Sequence, residues 1–154
     1  MSHVANWLHC VWGTKRRHPY LTKEIKSQIL NHILQNAKGK KIYIDSLDGS
    51  LEHLHCLLSL DPDMSLSNVM QLIKGESSHW INKQKLTNYK FEWAVDYYAA
   101  SISRSHLRRV RKYIANQEDH HKTQSWPDEV NELIIEYGFT RYPDSPRPET
   151  SVWL

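Results

Sequence analysis

Two apolar, β-prone segments on either side of the dipeptide Asp48-Gly49 constrain the fold more than any other feature of this sequence. The first segment is KIYIDSL, residues 41–47, and the second leads from the dipeptide through LEHLHCLLSL, residues 51–60. An Asp-Gly pair between apolar runs is a strong signal for a β-hairpin turn. The two segments are therefore predicted to be antiparallel neighbours in a sheet.

The remaining chain is predicted to add two strands and four helices around this hairpin. The apolar residues of the helical segments recur at helical spacing, and Ser, Thr, Gly and Pro mark the ends of the segments. In chain order the predicted elements are a strand over Val4–Trp12, a helix capped by Thr22 and stopped by Gly39, the hairpin, a helix capped by Ser65 or Ser67, a long strand over Phe91–Ser103, a helix over His106–His121 capped by Ser103 or Ser105, and a helix over Pro127–Gly138.

The order strand, helix, strand, strand, helix, strand is that of the split βαβ, or ferredoxin-like, arrangement. We therefore expect an α+β fold, with an antiparallel sheet and two crossover helices on one face. The other face is left open for the third helix, which carries Tyr113. The chain is expected to form one domain over residues 1–154, with an irregular, Pro-rich tail from about residue 143.

The distribution of charge is more informative than the net charge of +3. The segment from Arg104 to Lys112 contains five cations and no acid, and the segment from Lys15 to His18 is a second basic cluster. Each cluster could bind a phosphate backbone or could simply be a solvated face, and the sequence leaves both readings open.

The two cysteines, Cys10 and Cys56, each lie in an apolar run and do not form a C-x-x-C pair. They are predicted to be buried free thiols in a reducing compartment. No apolar segment approaches the roughly 20 residues that a membrane span requires, so we expect a cytoplasmic protein without a membrane partner.

The hairpin's second strand carries His53 and His55, whose side chains leave the same face because they are two residues apart. Leu54, Cys56 and Leu58 are expected to point the other way, into the core. Two imidazoles on one face can converge on a metal ion, although an isolated His-x-His pair is also compatible with a purely structural role.

The third helix offers a complement to this histidine pair. Tyr113 and Gln117 are i and i+4 and therefore neighbours on one helix face, beside the apolar stripe of Leu107, Val110 and Ile114. Packing of that stripe on the open sheet face would bring both residues near the histidine pair. Two imidazoles and an amide oxygen would leave coordination positions for a substrate, as a catalytic metal requires. The alternative is that they are a half-buried aromatic residue and a surface amide.

Cations around Tyr113 favour the functional interpretation, since they would place a phosphate-binding field around its hydroxyl. His120 could serve as a fourth ligand or a proton carrier, or only as part of a helix end, whereas Glu52 is expected on the opposite strand face, away from the ligands. The residues predicted to contact nucleic acid are Lys15, Arg16, Arg17, Lys74, Arg104, Arg108, Arg109 and Arg111.

Taken together, these segments resemble the single-tyrosine transposases of the HUH endonuclease superfamily, including the related REP-associated tyrosine transposases. The signature His-apolar-His is read as His53-Leu54-His55, and the tyrosine motif as YIANQEDHH from Tyr113 to His121. WGTKRRHPYL, KGESSHWI, FEWAVDYYAASIS and the final EYG extend the resemblance to about residue 142.

The resemblance implies that Tyr113 is the nucleophile, and that His53, His55 and Gln117 hold Mg²⁺ or Mn²⁺. Imidazole ligands alone would have indicated Zn²⁺ or Ni²⁺. It further implies cleavage and rejoining of single-stranded DNA at the hairpin ends of a mobile element, through a 5′-phosphotyrosine intermediate. A homodimer with shared active sites is also implied. Glu52 departs from the family pattern, where Asp often precedes the first histidine.

Two other functions are compatible with the same residues. One is a non-catalytic or domesticated nucleic-acid-binding module on this fold, in which the histidine pair is structural. The other is a metal-dependent phosphoester hydrolase without a covalent intermediate, in which Tyr113 only positions the substrate.

Overall fold

A computed structural model describes residues 1–143, which form a four-stranded antiparallel sheet with helices on both faces. The order of strands across the sheet is β2-β3-β1-β4, with every neighbouring pair antiparallel. This order confirms the α+β, ferredoxin-like prediction. The elements are β1 (Trp7–Gly13), α1 (Lys23–Lys38), β2 (Tyr43–Gly49), β3 (His53–Ser59), α2 (Leu66–Lys83), β4 (Tyr98–Ile102), α3 (Leu107–Ala115), α4 (Gln117–His120) and α5 (Trp126–Tyr137), with short 3₁₀ turns at Lys15–Arg17 and Arg104–His106.

The alternation of side chains along β3 divides the molecule into two layers. Leu54, Cys56 and Leu58 are buried in the large core between the sheet and the crossover helices α1 and α2, as predicted. His53 and His55 point to the opposite face and are also fully buried, because α3 and α5 cover them. The site therefore lies between the sheet and a second helical layer.

The apolar stripe of α3 packs on this second face, as predicted from its spacing. Leu107, Val110 and Ile114 form a cluster with Leu57 of β3 and Ile102 of β4. A neighbouring cluster joins α5 to the sheet, with Trp126 and Leu133 against Val11. The second layer thus consists of two helices rather than the tyrosine helix alone.

The hairpin forms as predicted, but its turn lies at residues 50–52 instead of Asp48-Gly49. Asp48 and Gly49 are the last residues of β2 and pair with β3, Gly49 opposite Leu54. A Cβ at Gly49 would overlap the carbonyl oxygen of His53. Glycine is therefore required here for the close approach of two strands.

Strand β4 is much shorter than the predicted segment, which began at Phe91. Only Tyr98–Ile102 pairs with β1, while Trp93 makes an isolated bridge to Thr14. Phe91 is anchored instead by hydrogen bonds to the side chain of Asn82. Phe91 and Trp93, which favoured a strand, are buried in the core as part of a loop, whereas Val95 is exposed.

The third predicted helix is interrupted. α3 ends at Ala115, Asn116 has the non-helical backbone angles φ −100° and ψ 18°, and the single-turn helix α4 follows. Gln117 is therefore the first residue of α4 rather than part of one continuous helix with Tyr113. The other helix boundaries agree closely with prediction: Ser65 caps α2 through its side chain, and Gly138, with φ +63°, ends α5.

Cys10 and Cys56 are buried free thiols, as predicted, and lie opposite each other on β1 and β3. Burial raises the pKa of Cys10 to about 12, so this thiol is unreactive at neutral pH. Within residues 1–143, no helix is long and apolar enough to cross a bilayer. The predicted irregular tail from about residue 143 falls almost entirely outside the described residues.

Candidate active site

A buried carboxylate, Glu129 of α5, joins the two histidines of β3. Its Oε1 lies 2.6 Å from Nε2 of His55 and 3.1 Å from Nε2 of His53. All three side chains are completely buried. Their potential ligand atoms lie within 4.8 Å of one another, which makes this a compact cluster of metal-ligating groups.

Gln117 is also brought into this cluster, as predicted. Its Oε1 lies 3.3 Å from Nε2 of His53, and its side chain is fully buried. The amide Nε2 of the same residue has no hydrogen-bond partner among the described residues.

The second carboxylate oxygen of Glu129 faces the tyrosine motif. Its Oε2 accepts a hydrogen bond from Nε2 of His121 at 2.7 Å. Nε2 of His120 approaches the same oxygen to 3.1 Å, but not in hydrogen-bonding geometry. Both histidines at the end of the tyrosine motif, His120 and His121, therefore lie next to Oε2 of Glu129.

Sequence reasoning missed Glu129, although one signal was present. Glu129 lies on the buried face of α5, three residues after Trp126 and four before Leu133. A carboxylate on an apolar stripe is rarely buried without a partner.

The Nδ1 atoms of both histidines are held away from the centre of the cluster. Nδ1 of His53 lies 3.1 Å from Oε1 of Glu52, and the His53 ring stacks on Trp126 with 3.9 Å between the ring centroids. Nδ1 of His55 lies 2.8 Å from Nε2 of His9. Glu52 does not belong to the cluster of ligand atoms, as predicted. It does contact Nδ1 of His53, although it was expected on the opposite face of the strand.

The electrostatic environment shifts the pKa values of the three clustered groups in different directions. Burial lowers the pKa of His55 to about 4, against the hydrogen bond with Glu129, which raises it. Burial would raise the pKa of Glu129, but hydrogen bonds with His121, His53 and His55 outweigh it and hold this pKa well below its ordinary value. For His53, burial is outweighed by hydrogen bonds with Glu129 and Glu52, so the pKa rises. At neutral pH the carboxylate is ionised and His55 is neutral.

Tyr113 is half-buried at the rim of the cluster. Its ring lies edge-on to His55, with 5.4 Å between the centroids, and edge-on to His120 at 5.2 Å. Burial and then the negative charge of Glu129 raise the pKa of the phenol well above its ordinary value. In the protein alone, the hydroxyl therefore stays protonated at neutral pH.

The donor set fits a divalent cation. Two imidazole nitrogens, a carboxylate oxygen and an amide oxygen converge, and the outer atoms of both rings are already engaged by protein groups. Oε1 of Glu129 lies within contact of Nε2 of both histidines, so one ion at this position could bind all three groups.

The predicted nucleic-acid contacts fall into two groups. Arg16, Arg17, Arg104 and Arg108 are exposed, and the first two have positive φ angles of 56° and 57° in a 3₁₀ turn. Others make ion pairs within the chain: Lys15 with Glu92, Arg109 with Glu136 and Arg111 with Asp45.

Lys74 occupies a position that differs from the predicted one. It is 7% exposed on α2, and its Nζ donates to the backbone carbonyls of Val95 and Asp96 at 2.9 and 3.1 Å. These hydrogen bonds hold the segment that precedes β4 against α2. Its ammonium is therefore occupied by backbone rather than presented to a phosphate.

The sequence was compared with known protein families and with curated proteins. The family described as IS200-like transposases matches residues 3–117. The ISDra2 transposase TnpA of Deinococcus radiodurans is 24% identical over 117 residues, covering 72% of this chain and 83% of that protein. The transposase for insertion sequence element IS200 of Salmonella typhimurium is 26% identical over 115 residues, covering 71% and 74% of the two chains.

Two solved structures share the fold. A Deinococcus radiodurans protein described as a transposase superposes with a TM-score of 0.61 at 20% identity, covering 76% of this chain and 95% of that one. A REP-associated tyrosine transposase bound to a REP hairpin superposes with a TM-score of 0.58 at 22% identity, covering 97% and 94%. The family match ends at Gln117, so α5 and Glu129 lie beyond it. Because residues 3–117 are most of the sequence, the chain belongs to the family of IS200-like transposases.

Proposed function

We propose that this transposase cleaves and rejoins single-stranded DNA with Tyr113 as its nucleophile. The observation that carries the proposal is the position of Tyr113, whose ring lies 5.4 Å from the ring of His55, beside the buried cluster of His53, His55 and Glu129. A tyrosine at the rim of a cluster that fits a metal can attack a phosphodiester bound at that cluster.

In the cleavage step, the Tyr113 oxygen forms a bond to phosphorus while the bond between phosphorus and the 3′ oxygen breaks. The 5′ end remains as a phosphotyrosine, and the leaving oxygen takes up a proton to become a free 3′-hydroxyl. Attack by a 3′-hydroxyl on the phosphotyrosine reverses these changes and rejoins the strand. The energy of the phosphodiester is conserved in the tyrosyl ester, so no nucleotide cofactor is consumed.

Glu129, His53, His55 and Gln117 are the groups proposed to hold the divalent ion, Mg²⁺ or Mn²⁺. When bound, the ion would polarise the scissile phosphate and offset the charge of Glu129 that opposes ionisation of Tyr113. Gln117 acts in the same direction, because its side chain lowers the pKa of Tyr113 against the larger raising effects of burial and Glu129. The neighbouring helical layer excludes water from the inner side of the cluster.

The exposed cations are proposed to hold the DNA. Arg104 and Arg108 are exposed near the tyrosine helix, and Arg16 and Arg17 are exposed in the turn after β1. Phosphate contacts of this kind supply affinity without sequence specificity. We propose hairpin ends of a mobile element as the substrate, because the REP-associated relative is described as bound to a REP hairpin.

The protein is further proposed to act as a homodimer with shared active sites. In one chain, Glu118 of α4 pairs with Lys26 of α1 at 2.7 Å, and Arg111 of α3 pairs with Asp45 of β2 at 2.9 Å. Exchange of the tyrosine helix between subunits requires these contacts to break and re-form across the dimer.

The decisive experiment is Tyr113→Phe, with labelled single strands resolved on denaturing gels. Wild type should form a covalent protein–DNA adduct, and the variant should form none while keeping nearly unchanged DNA affinity, since the phosphate contacts remain. Tyr89→Phe is a matched control because Tyr89 is 77% exposed and absent from the cluster contacts.

The same experiment separates the alternatives. A non-catalytic binding module would yield no adduct in wild type. A hydrolase that does not use the tyrosine would keep its activity in Tyr113→Phe.

A further inference from the structure

We propose that His9 is a positioning residue that accepts the Nδ1 proton of His55 and so leaves the Nε2 lone pair of His55 free for the metal. The inference rests on the proposed metal site. His9 lies on β1, and its Nε2 is 2.8 Å from Nδ1 of His55. Its Nδ1 is 2.7 Å from the hydroxyl of Tyr137, at the end of α5.

The three groups form a chain of hydrogen bonds that runs in only two ways. If Nε2 of His55 carries the proton, Nδ1 of His55 accepts from His9, and Nδ1 of His9 accepts from the hydroxyl of Tyr137. If Nδ1 of His55 carries the proton instead, it donates to Nε2 of His9, and Nδ1 of His9 donates to Tyr137.

Only the second arrangement leaves Nε2 of His55 free to act as a ligand. The first is suited to the protein without metal, where Nε2 of His55 can donate to Oε1 of Glu129 at 2.6 Å. His9 is able to support both arrangements because an imidazole donates from one nitrogen and accepts at the other. Tyr137 can likewise accept or donate.

Burial makes His9 the partner on which Nδ1 of His55 depends. His9 is 2% exposed and His55 is fully buried, so solvent is not available to replace either partner. The His9 ring is enclosed by His55, Tyr113 and Tyr137, with centroid distances of 5.1, 6.1 and 5.6 Å. Outer partners of metal-bound histidines affect metal affinity by orienting the ring and fixing its tautomer.

The hydrogen-bond chain from Tyr137 through His9 to His55 also gives the C-terminal end of α5 a role. Glu129, near the start of this helix, contacts the inner nitrogen of His55, and Tyr137, at its end, reaches the outer nitrogen through His9. Helix α5 therefore contacts both ring nitrogens of His55, one directly and the other through His9.

The test compares His9→Phe, which has no acceptor, with His9→Gln, whose side-chain oxygen can accept from Nδ1 of His55. Mn²⁺ affinity is measured by electron paramagnetic resonance in the absence of DNA. We expect His9→Phe to weaken Mn²⁺ binding by about 10- to 100-fold, and His9→Gln to restore most of the loss. Val11→Ala is the packing control, because Val11 is buried on the same strand face and contributes only apolar contacts.

A second measurement does not depend on any substitution. Nitrogen-15 NMR of histidine-labelled wild type should show the proton of His55 on Nδ1 in the presence of Mg²⁺. A proton on Nε2 of His55 under these conditions would overturn the proposal, as would wild-type Mn²⁺ affinity in folded His9→Phe.

Failure of the proposed function is distinguishable from failure of this inference. If Tyr113→Phe still forms the adduct, the nucleophile is misassigned, whereas the Mn²⁺ and NMR results continue to report on His9. If no variant or wild type binds Mn²⁺, the metal site itself is wrong.

Discussion

Glu129 is the residue whose position most changes the chemistry expected of this site. It is fully buried and contacts His53 and His55 with one oxygen and the HH pair of the tyrosine motif with the other. A carboxylate adds a negative charge that a neutral amide such as Gln117 does not supply. The site is therefore better suited to a hard divalent cation than two imidazoles and an amide would be.

We expect Glu129→Gln to weaken Mn²⁺ binding by at least about tenfold, and by more than Gln117→Ala, since it removes a charged ligand rather than a neutral one. Calorimetric titration measures both affinities. Glu132→Gln, an exposed glutamate on the same helix, should bind Mn²⁺ like wild type. Equal affinities for Glu129→Gln and Glu132→Gln would exclude Glu129 as a ligand.

The buried state of His9 predicts a pH dependence of stability in the metal-free protein. Burial, followed by repulsion from His55, lowers the pKa of His9 to about 3 in the folded state, whereas the unfolded value is 6.5. Between these values the unfolded chain binds more protons at this position, so stability falls as pH decreases. The slope for one such group is about 1.4 kcal/mol per pH unit.

Urea unfolding between pH 7 and 4 measures this effect. His9→Phe lacks the titrating group and should lose less stability over the same interval than wild type does. Parallel curves for the two proteins would show that His9 is not held neutral in the fold.

At the scale of the elements, the interrupted tyrosine helix is the feature that builds the site. The break at Asn116 lets α3 pack along the sheet while α4 turns Gln117 inward. Contacts to α1 and β2 hold this arrangement: Nζ of Lys26 lies 2.7 Å from Glu118 of α4, 3.2 Å from Asp48, and donates to the carbonyl of Gly49. Lys26 thus connects α4 to the hairpin.

We expect Lys26→Met to destabilise the protein by about 1.5–3 kcal/mol, because it leaves the carbonyl of Gly49 without its buried donor and breaks a charged hydrogen bond. Glu118→Gln should cost less than about 1 kcal/mol, since Glu118 is largely solvated. Both values come from chemical denaturation. A Lys26→Met variant as stable as Glu118→Gln would mean that α4 is held by packing alone.

At the scale of the whole molecule, the proposed dimer determines whether the residues of one active site come from one chain or from two. Within a chain, β3, α3, α4 and α5 all contribute to the same cluster. A dimer with shared sites would combine the histidines of one subunit with the tyrosine of the other.

Complementation between two inactive variants tests this arrangement. When Tyr113→Phe and His55→Ala exchange subunits, half of the dimers are mixed, and each mixed dimer with shared sites contains one intact site. Cleavage should then return to roughly a quarter of the wild-type level by statistical pairing. A mixture that demonstrably contains heterodimers but does not cleave would place each site within one chain.

Much of this architecture follows from local sequence patterns. The alternation along β3 placed His53 and His55 on one face and Leu54 on the other, and the stripe of α3 predicted the face on which it packs. Caps such as Ser65 and the stop at Gly138 are also local, because they satisfy or terminate backbone hydrogen bonding within a few residues. These features depend on residues that are close in sequence, so the sequence alone predicts them.

The position of the turn, the break at Asn116 and the length of β4 were decided by tertiary contacts instead. Gly49 is needed where two strands approach closely, and Phe91 and Trp93 are buried as anchors before the strand begins. By itself, the sequence determined the fold class and brought His53, His55, Gln117 and Tyr113 together as candidates. Only the tertiary structure brought in Glu129, which is 76 residues from His53 along the chain, and His9, because partners so far apart are chosen by packing across the sheet rather than by spacing.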